Sequence, residues 1–173
     1  MRRVAWMVGC WALLWLGYAS PEAMASGGDS VAAEFVGTSP CDALPREFVG
    51  GLAATAPCHC ITWELTLSTN RNAGLPATYK LVANYGLPGK NDPNQIEDGP
   101  QVEQQGTWKI VTGTKADTDA VVYQLTADKG RKSVSLVKVG ENLLHFLNPD
   151  KSLMIGNPGW NYTLSKKGVG KDQ

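Results

Sequence analysis

The stretch "TAPCHCITWELTL", Thr55 to Leu67, sets two thiols around one imidazole, directly before a cleanly alternating run. Three chemistries are open to Cys58-His59-Cys60. The first is metal binding: soft thiolates favour Cu(I), and two sulfurs can hold it almost linearly. Residues i and i+2 of a strand project to the same face. Cys58 and Cys60 could therefore share one ion, with His59 joining only if the chain bends after Pro57. This makes Cys58, Cys60 and His59 a candidate metal site and Cu(I) its candidate ion, with Cys41 or His145 as further ligands if the fold brings them near. The second chemistry is a disulfide. A Cys58–Cys60 bridge would close a very tight ring, near the upper limit of about 6.8 Å between Cα atoms. A bridge from Cys41 to Cys58 or to Cys60 is less constrained and contributes about 3 kcal/mol by chain-entropy reasoning. The cysteine left over is then a redox-sensitive thiol or a small buried apolar residue. The third chemistry, thioredoxin-like exchange, needs Cys-x-x-Cys at a helix N-terminus, where the dipole lowers the thiol pKa; here a strand follows.

Elsewhere the chemistry is sparse. His145, in "NLLHFLN", is the only histidine apart from His59, and a lone strand histidine reads as a structural residue. Neither Gly-x-Ser-x-Gly nor His-Glu-x-x-His occurs. Asp and Glu fall mainly in loops, so no buried acid/base pair is expected and the chain reads as a non-enzyme. Trp63, Trp108, Trp160 and Tyr79 are large, partly polar side chains. They either pack an interior or line a ligand pocket, which is mostly apolar with a few polar groups.

These residues must be positioned by strands, because period-two alternation recurs along the chain. In "ITWELTLS", Ile61, Trp63, Leu65 and Leu67 face one way, and Thr62, Glu64, Thr66 and Ser68 the other. "TYKLVANY" sets Tyr79, Leu81, Ala83 and Tyr85 against Lys80, Val82 and Asn84. "GTWKIV" offers Trp108 and Ile110, and "VVYQLT" offers Val121, Tyr123 and Leu125; "SVSLVKV", "NLLHFLN" and "GWNYTLS" follow. Each run is short, rich in β-branched or aromatic residues, and bounded by Gly, Pro, Asn or Asp. With "REFVG" as the first, eight strands are expected. "SPCDALPRE" allows one helical turn at most, since Pro45 limits it. Gly86 to Gln105 is expected to be a long polar loop, and "KVGENLLHF" and "LNPDKSL" tight hairpins. The echo between "EFVGTSPC" and "EFVGGLAATAPC" is read as chance or as two similar strand beginnings. The expected fold is all-β: a single antiparallel up-and-down barrel of about eight strands, because closure removes sticky edges. Such a barrel can hold one small ligand.

The ends bound the compartment. Arg2 and Arg3, an apolar run from Val4 to Ala19, and Ala23-Met24-Ala25 form a signal-peptide pattern, with cleavage expected after Ala25. Cys10 lies too early for a lipoprotein box, so the mature chain is expected to be unlipidated, periplasmic or secreted, and membrane-bound only through an uncleaved leader. Removing Arg2, Arg3 and Glu22 leaves 14 basic and 15 acidic residues, a net charge of −1. A concentrated positive face is missing, so nucleic acid is not an expected partner. Met154 is the one methionine after Ala25, which excludes a methionine-rich copper site. The expected organisation is a leader over 1–25, an N-terminal segment over 26–45, a barrel over 46–165 and a polar tail over 166–173.

The runs "EFVGGLAATAPCHCITWELTLSTN", "ATYKLVANYG", "GTWKI", "VVYQLTA" and "ENLLHFLNPDKSL" follow one another in an order that resembles the NlpE N-terminal domain family, from Glu47 to Leu164. The resemblance implies a small lipocalin-like barrel in the bacterial envelope, linked to copper tolerance and envelope-stress sensing. The chain differs from the family in having Cys-x-Cys for Cys-x-x-Cys, no lipobox, and a single barrel. The expected function is a non-enzymatic envelope protein acting in copper or redox stress through Cys41, Cys58 and Cys60, with a copper ion or another envelope protein as partner. The alternative is a lipocalin-like carrier of a small apolar ligand.

Overall fold

The computed structural model describes residues 28–42, 57–87, 89–90, 96, 99–128 and 132–168. Eight strands close into one antiparallel barrel in chain order: β1 (Asp29–Pro40), β2 (Cys60–Asn70), β3 (Pro76–Gly86), β4 (Gln101–Thr112), β5 (Val121–Ala127), β6 (Val134–Val139), β7 (Leu143–Phe146) and β8 (Thr163–Lys166). The ring closes where β8 pairs with β1 through Phe35–Lys166 and Val36–Ser165. The described residues contain no helix long and apolar enough to cross a membrane. The leader lies outside them.

The barrel forms because the inward positions of successive strands are large and apolar, and each pairing register keeps them level. Phe35, Leu65, Leu67, Leu81, Leu125, Leu136, Leu144 and Leu164 are all at most 5 % exposed. Burial of side chains of this size stabilises by roughly 1.5–3 kcal/mol each. Alternation in β2 and β3 follows the pattern read from the sequence, with Tyr79, Leu81 and Ala83 buried and Lys80 exposed.

Three features differ from expectation. The first strand is Asp29–Pro40, inside the segment set aside as N-terminal to the barrel; "REFVG" lies outside the described residues. A bulge at Val31/Ala33 breaks the alternation of β1, and its inward side carries small residues. Gly37 is one of them. A Cβ there would sit 2.5 Å from the Thr163 carbonyl oxygen, so glycine is what lets β8 close against β1. The helical turn considered over Ser39–Glu47 is not formed at Ser39 and Pro40, which end β1, and residues 43–47 lie outside the described residues. Second, β4 begins at Gln101, so the tail of the supposed long loop is strand, paired with β3 through Asn84–Gln101 to Thr78–Thr107. Third, Ile110 is 51 % exposed and Val121 is 39 % exposed, because β4 and β5 run on past the end of the interior there.

A second, smaller apolar cluster lies apart from the main core. Val122, Val137 and Leu147 are buried together, with Val111 and Ala120 against them. The loop after β4 and the hairpin after β7 meet nearby, where the Lys115 N–H donates to the Lys151 carbonyl at 2.9 Å and the Lys115 ammonium pairs with Asp150 at 3.0 Å. That hairpin and the β6–β7 turn are as tight as expected. Lys151 and Gly140 take positive φ angles of 66° and 62° within them.

Candidate functional site

The two ends of the barrel differ in chemistry. One end holds the cysteines. Cys41, one residue past β1, is bonded to Cys58, two residues before β2, across 17 positions of sequence. The backbone reinforces the link: Cys41 N–H donates to the His59 carbonyl, and His59 N–H to the Gly86 carbonyl, at 3.3 and 2.9 Å. Asp42 carries the clamp further, since the Tyr162 hydroxyl donates to its carboxylate at 2.5 Å. Burial first, and the Asp42 carboxylate second, push the Tyr162 phenol well above its ordinary pKa. This end is therefore tied from β1 to β2, β3 and the approach to β8.

The bend at His59 separates Cys58 from Cys60. Cys58 packs against the interior core beside Cys41. Cys60 alternates with the inward Ile61 and Trp63, so it shares its face with Thr62 and Glu64, yet it is fully buried. The same-face projection expected of residues i and i+2 does not hold, because the strand starts only at Cys60. His59 is exposed. The described residues contain no group of three or more His, Cys, Asp or Glu side chains placed to hold a metal. Cys60 is a free thiol, and burial raises its pKa. A thiol that is buried and protonated is a poor nucleophile.

Trp63 belongs to this half as a packing residue. Its indole N–H donates to the buried Ser39 hydroxyl at 2.8 Å, and its ring lies 5.2 Å from that of Phe146. His145 is satisfied on both nitrogens: Nε2 donates to the Met154 carbonyl and Nδ1 meets the Thr163 hydroxyl, each at 2.9 Å. Trp160 is half-buried in the loop before β8. Tyr79 is buried in β3 and borders a shallow recess with Thr66, Ser68 and Gly106. These residues do not converge on one pocket.

The opposite end is open. Ala33, Phe35, Leu67, Trp108, Tyr123 and Leu144 line a cavity of about 250 Å³. There the β1–β8 ladder is short: it runs through Phe35–Lys166 and Val36–Ser165, and the Lys167 N–H donating to the Glu34 carbonyl at 2.8 Å is its last link. Trp108 forms one wall. Its N–H donates to the Ser68 carbonyl at 2.7 Å, and its ring stacks obliquely on Tyr123 at 5.1 Å. Lys138, Glu141 and Lys166 stand at the rim.

No family model, curated protein or solved structure matches this chain. The geometry of the two ends therefore carries the functional reading. Of the four aromatic pocket candidates from the sequence, Trp108 alone lines this cup. Alternation tells which side chains face inward but not which layer of the interior stays unfilled, so it does not mark the other walls. Nor does alternation mark Gln104. It is 5 % exposed on the inward side of β4, its amide N–H₂ reaches the Lys132 carbonyl at 3.5 Å, and its amide oxygen is buried with no partner among the described residues.

Proposed function

We propose that this protein is a non-enzymatic binder of a small, largely apolar molecule, taken up at the open end of the barrel. The observation that carries the reading is a cavity of about 250 Å³ walled by the buried side chains of Phe35, Leu67, Trp108 and Leu144, with Tyr123 beside them and charged side chains at its mouth. A dry cavity of about 150 Å³ accepts benzene. By that measure the cup holds a ring or chain of roughly six to ten carbons. The disulfide supports an oxidising compartment, in keeping with the exported, periplasmic or secreted location read from the leader. In this reading the cysteines staple the closed end while the open end does the work.

Titration with 1-octanol, followed through tryptophan emission, tests the proposal. Saturable change is expected, and Ala33→Phe, which places a ring in the cup, is expected to abolish it. A flat response would remove the proposal. The copper and envelope-stress reading suggested by the NlpE-like order of motifs is a second proposal. It requires a reduced Cys41–Cys58 pair, and Cu(I) uptake by the reduced protein is its test.

A further inference from the structure

We infer that the ligand of the cup is an amphiphile with a single anionic head, such as a free medium-chain carboxylate; the inference rests on the binding role proposed above. The rim supplies the argument. Three charged side chains border the mouth: Lys138, Glu141 and Lys166. Glu141 pairs with Lys138 at 3.3 Å and is almost wholly exposed, so it neutralises that lysine from the solvent side. Lys166 lies at the end of β8, with no ion pair among the described residues. Its neighbour Lys167 is the one that pairs with Glu34, at 3.5 Å. Among the described residues the mouth therefore carries one cation without an ion pair beside an apolar floor, and a second that an anion can recruit from Glu141.

The geometry suits a chain lying on Phe35, Leu67 and Leu144 with its head at Lys166. Phe35 and Lys166 are partners in the register that closes the barrel, so the buried ring and the exposed ammonium belong to adjacent strands at one level. A ligand bridging them buries its tail and leaves its charge in water. That avoids the cost of taking an ion into the interior.

The test compares three eight-carbon probes by calorimetry on the purified protein at low salt: octanoate, 1-octanol and octyltrimethylammonium. Exposed ion pairs are worth up to about fivefold in affinity each. Octanoate is therefore expected to bind about tenfold tighter than the cation, and added salt should narrow the gap. Lys166→Gln should weaken octanoate about three- to fivefold and leave octanol unchanged. Glu141→Gln should strengthen octanoate, since it frees Lys138. Equal affinity for anion and cation, with octanol bound, would overturn the head-group inference and leave the cup standing. Failure of all three probes would overturn both.

Discussion

Trp108 and Tyr123 stack at 5.1 Å across the β4–β5 pair, and this aromatic pair forms the wall of the open cup. The indole is held by its bond to the Ser68 carbonyl, which fixes its edge toward β2 and leaves part of its face to the cavity. Replacing Trp108 with Phe keeps an aromatic wall but removes the donor. A loss of at least about 1 kcal/mol is expected in urea unfolding, from the lost bond and from the smaller ring left in a buried site.

The bond between Ser39 and Trp63 is fully buried, whereas that between Trp108 and Ser68 is only partly so. Ser39→Ala leaves the indole N–H of Trp63 without its acceptor in a region that water does not reach. An orphaned buried donor costs about 1–3 kcal/mol. The variant should therefore unfold at clearly lower urea than the wild type, with an unchanged slope. An unchanged midpoint would contradict this assignment.

The thiol count follows from the bridge. Of Cys41, Cys58 and Cys60, only Cys60 is free, and it is buried. In the folded protein none of the three should react quickly with an alkylating reagent; in denaturant Cys60 alone should, until a reductant exposes the other two. Cys41→Ser is expected to cost about 3 kcal/mol of stability by loop-entropy reasoning. Binding at the far end of the barrel should persist in that variant at a temperature where it remains folded.

Tyr162 sets an alkaline limit. Its folded-state pKa is raised above the ordinary value of 10.0, by burial and by Asp42. The unfolded chain then loses this proton at lower pH than the folded one. The stabilisation is fully present below pH 10.0 and declines as the pH rises past it. Tyr162→Phe should be less stable than wild type at neutral pH, through loss of the bond to Asp42. Its stability should fall less steeply above pH 10.0, as chemical unfolding across the alkaline range would show.

Much of the barrel was legible in the sequence, and the exceptions have physical causes. Strands β2 and β3 announce themselves through Ile61–Leu67 and Tyr79–Tyr85, where large apolar residues alternate with polar ones. Strand β1 does not, because its inward positions include Ala33, Gly37 and Ser39 and its register slips at the bulge. Small residues are needed there for close approach to β8, so the strand that closes the barrel is also the least hydrophobic to read. The start of β4 hid for a related reason, since its inward residue is Gln104. Spacing favours a bridge from Cys41. The choice of Cys58 over Cys60 depends on the bend at His59, which spacing does not reveal. The cup was invisible because it is a void, beside the short β1–β8 ladder.

The most direct test of the account uses the indole N–H signals of a ¹⁵N-labelled sample during titration with 1-octanol. Trp108 lines the cup, Trp63 is locked to Ser39 behind it, and Trp160 sits in the loop before β8. The account predicts a saturable shift of the Trp108 signal, with those of Trp63 and Trp160 nearly still. No saturable shift at Trp108, or a shift confined to Trp63 or Trp160, would contradict it.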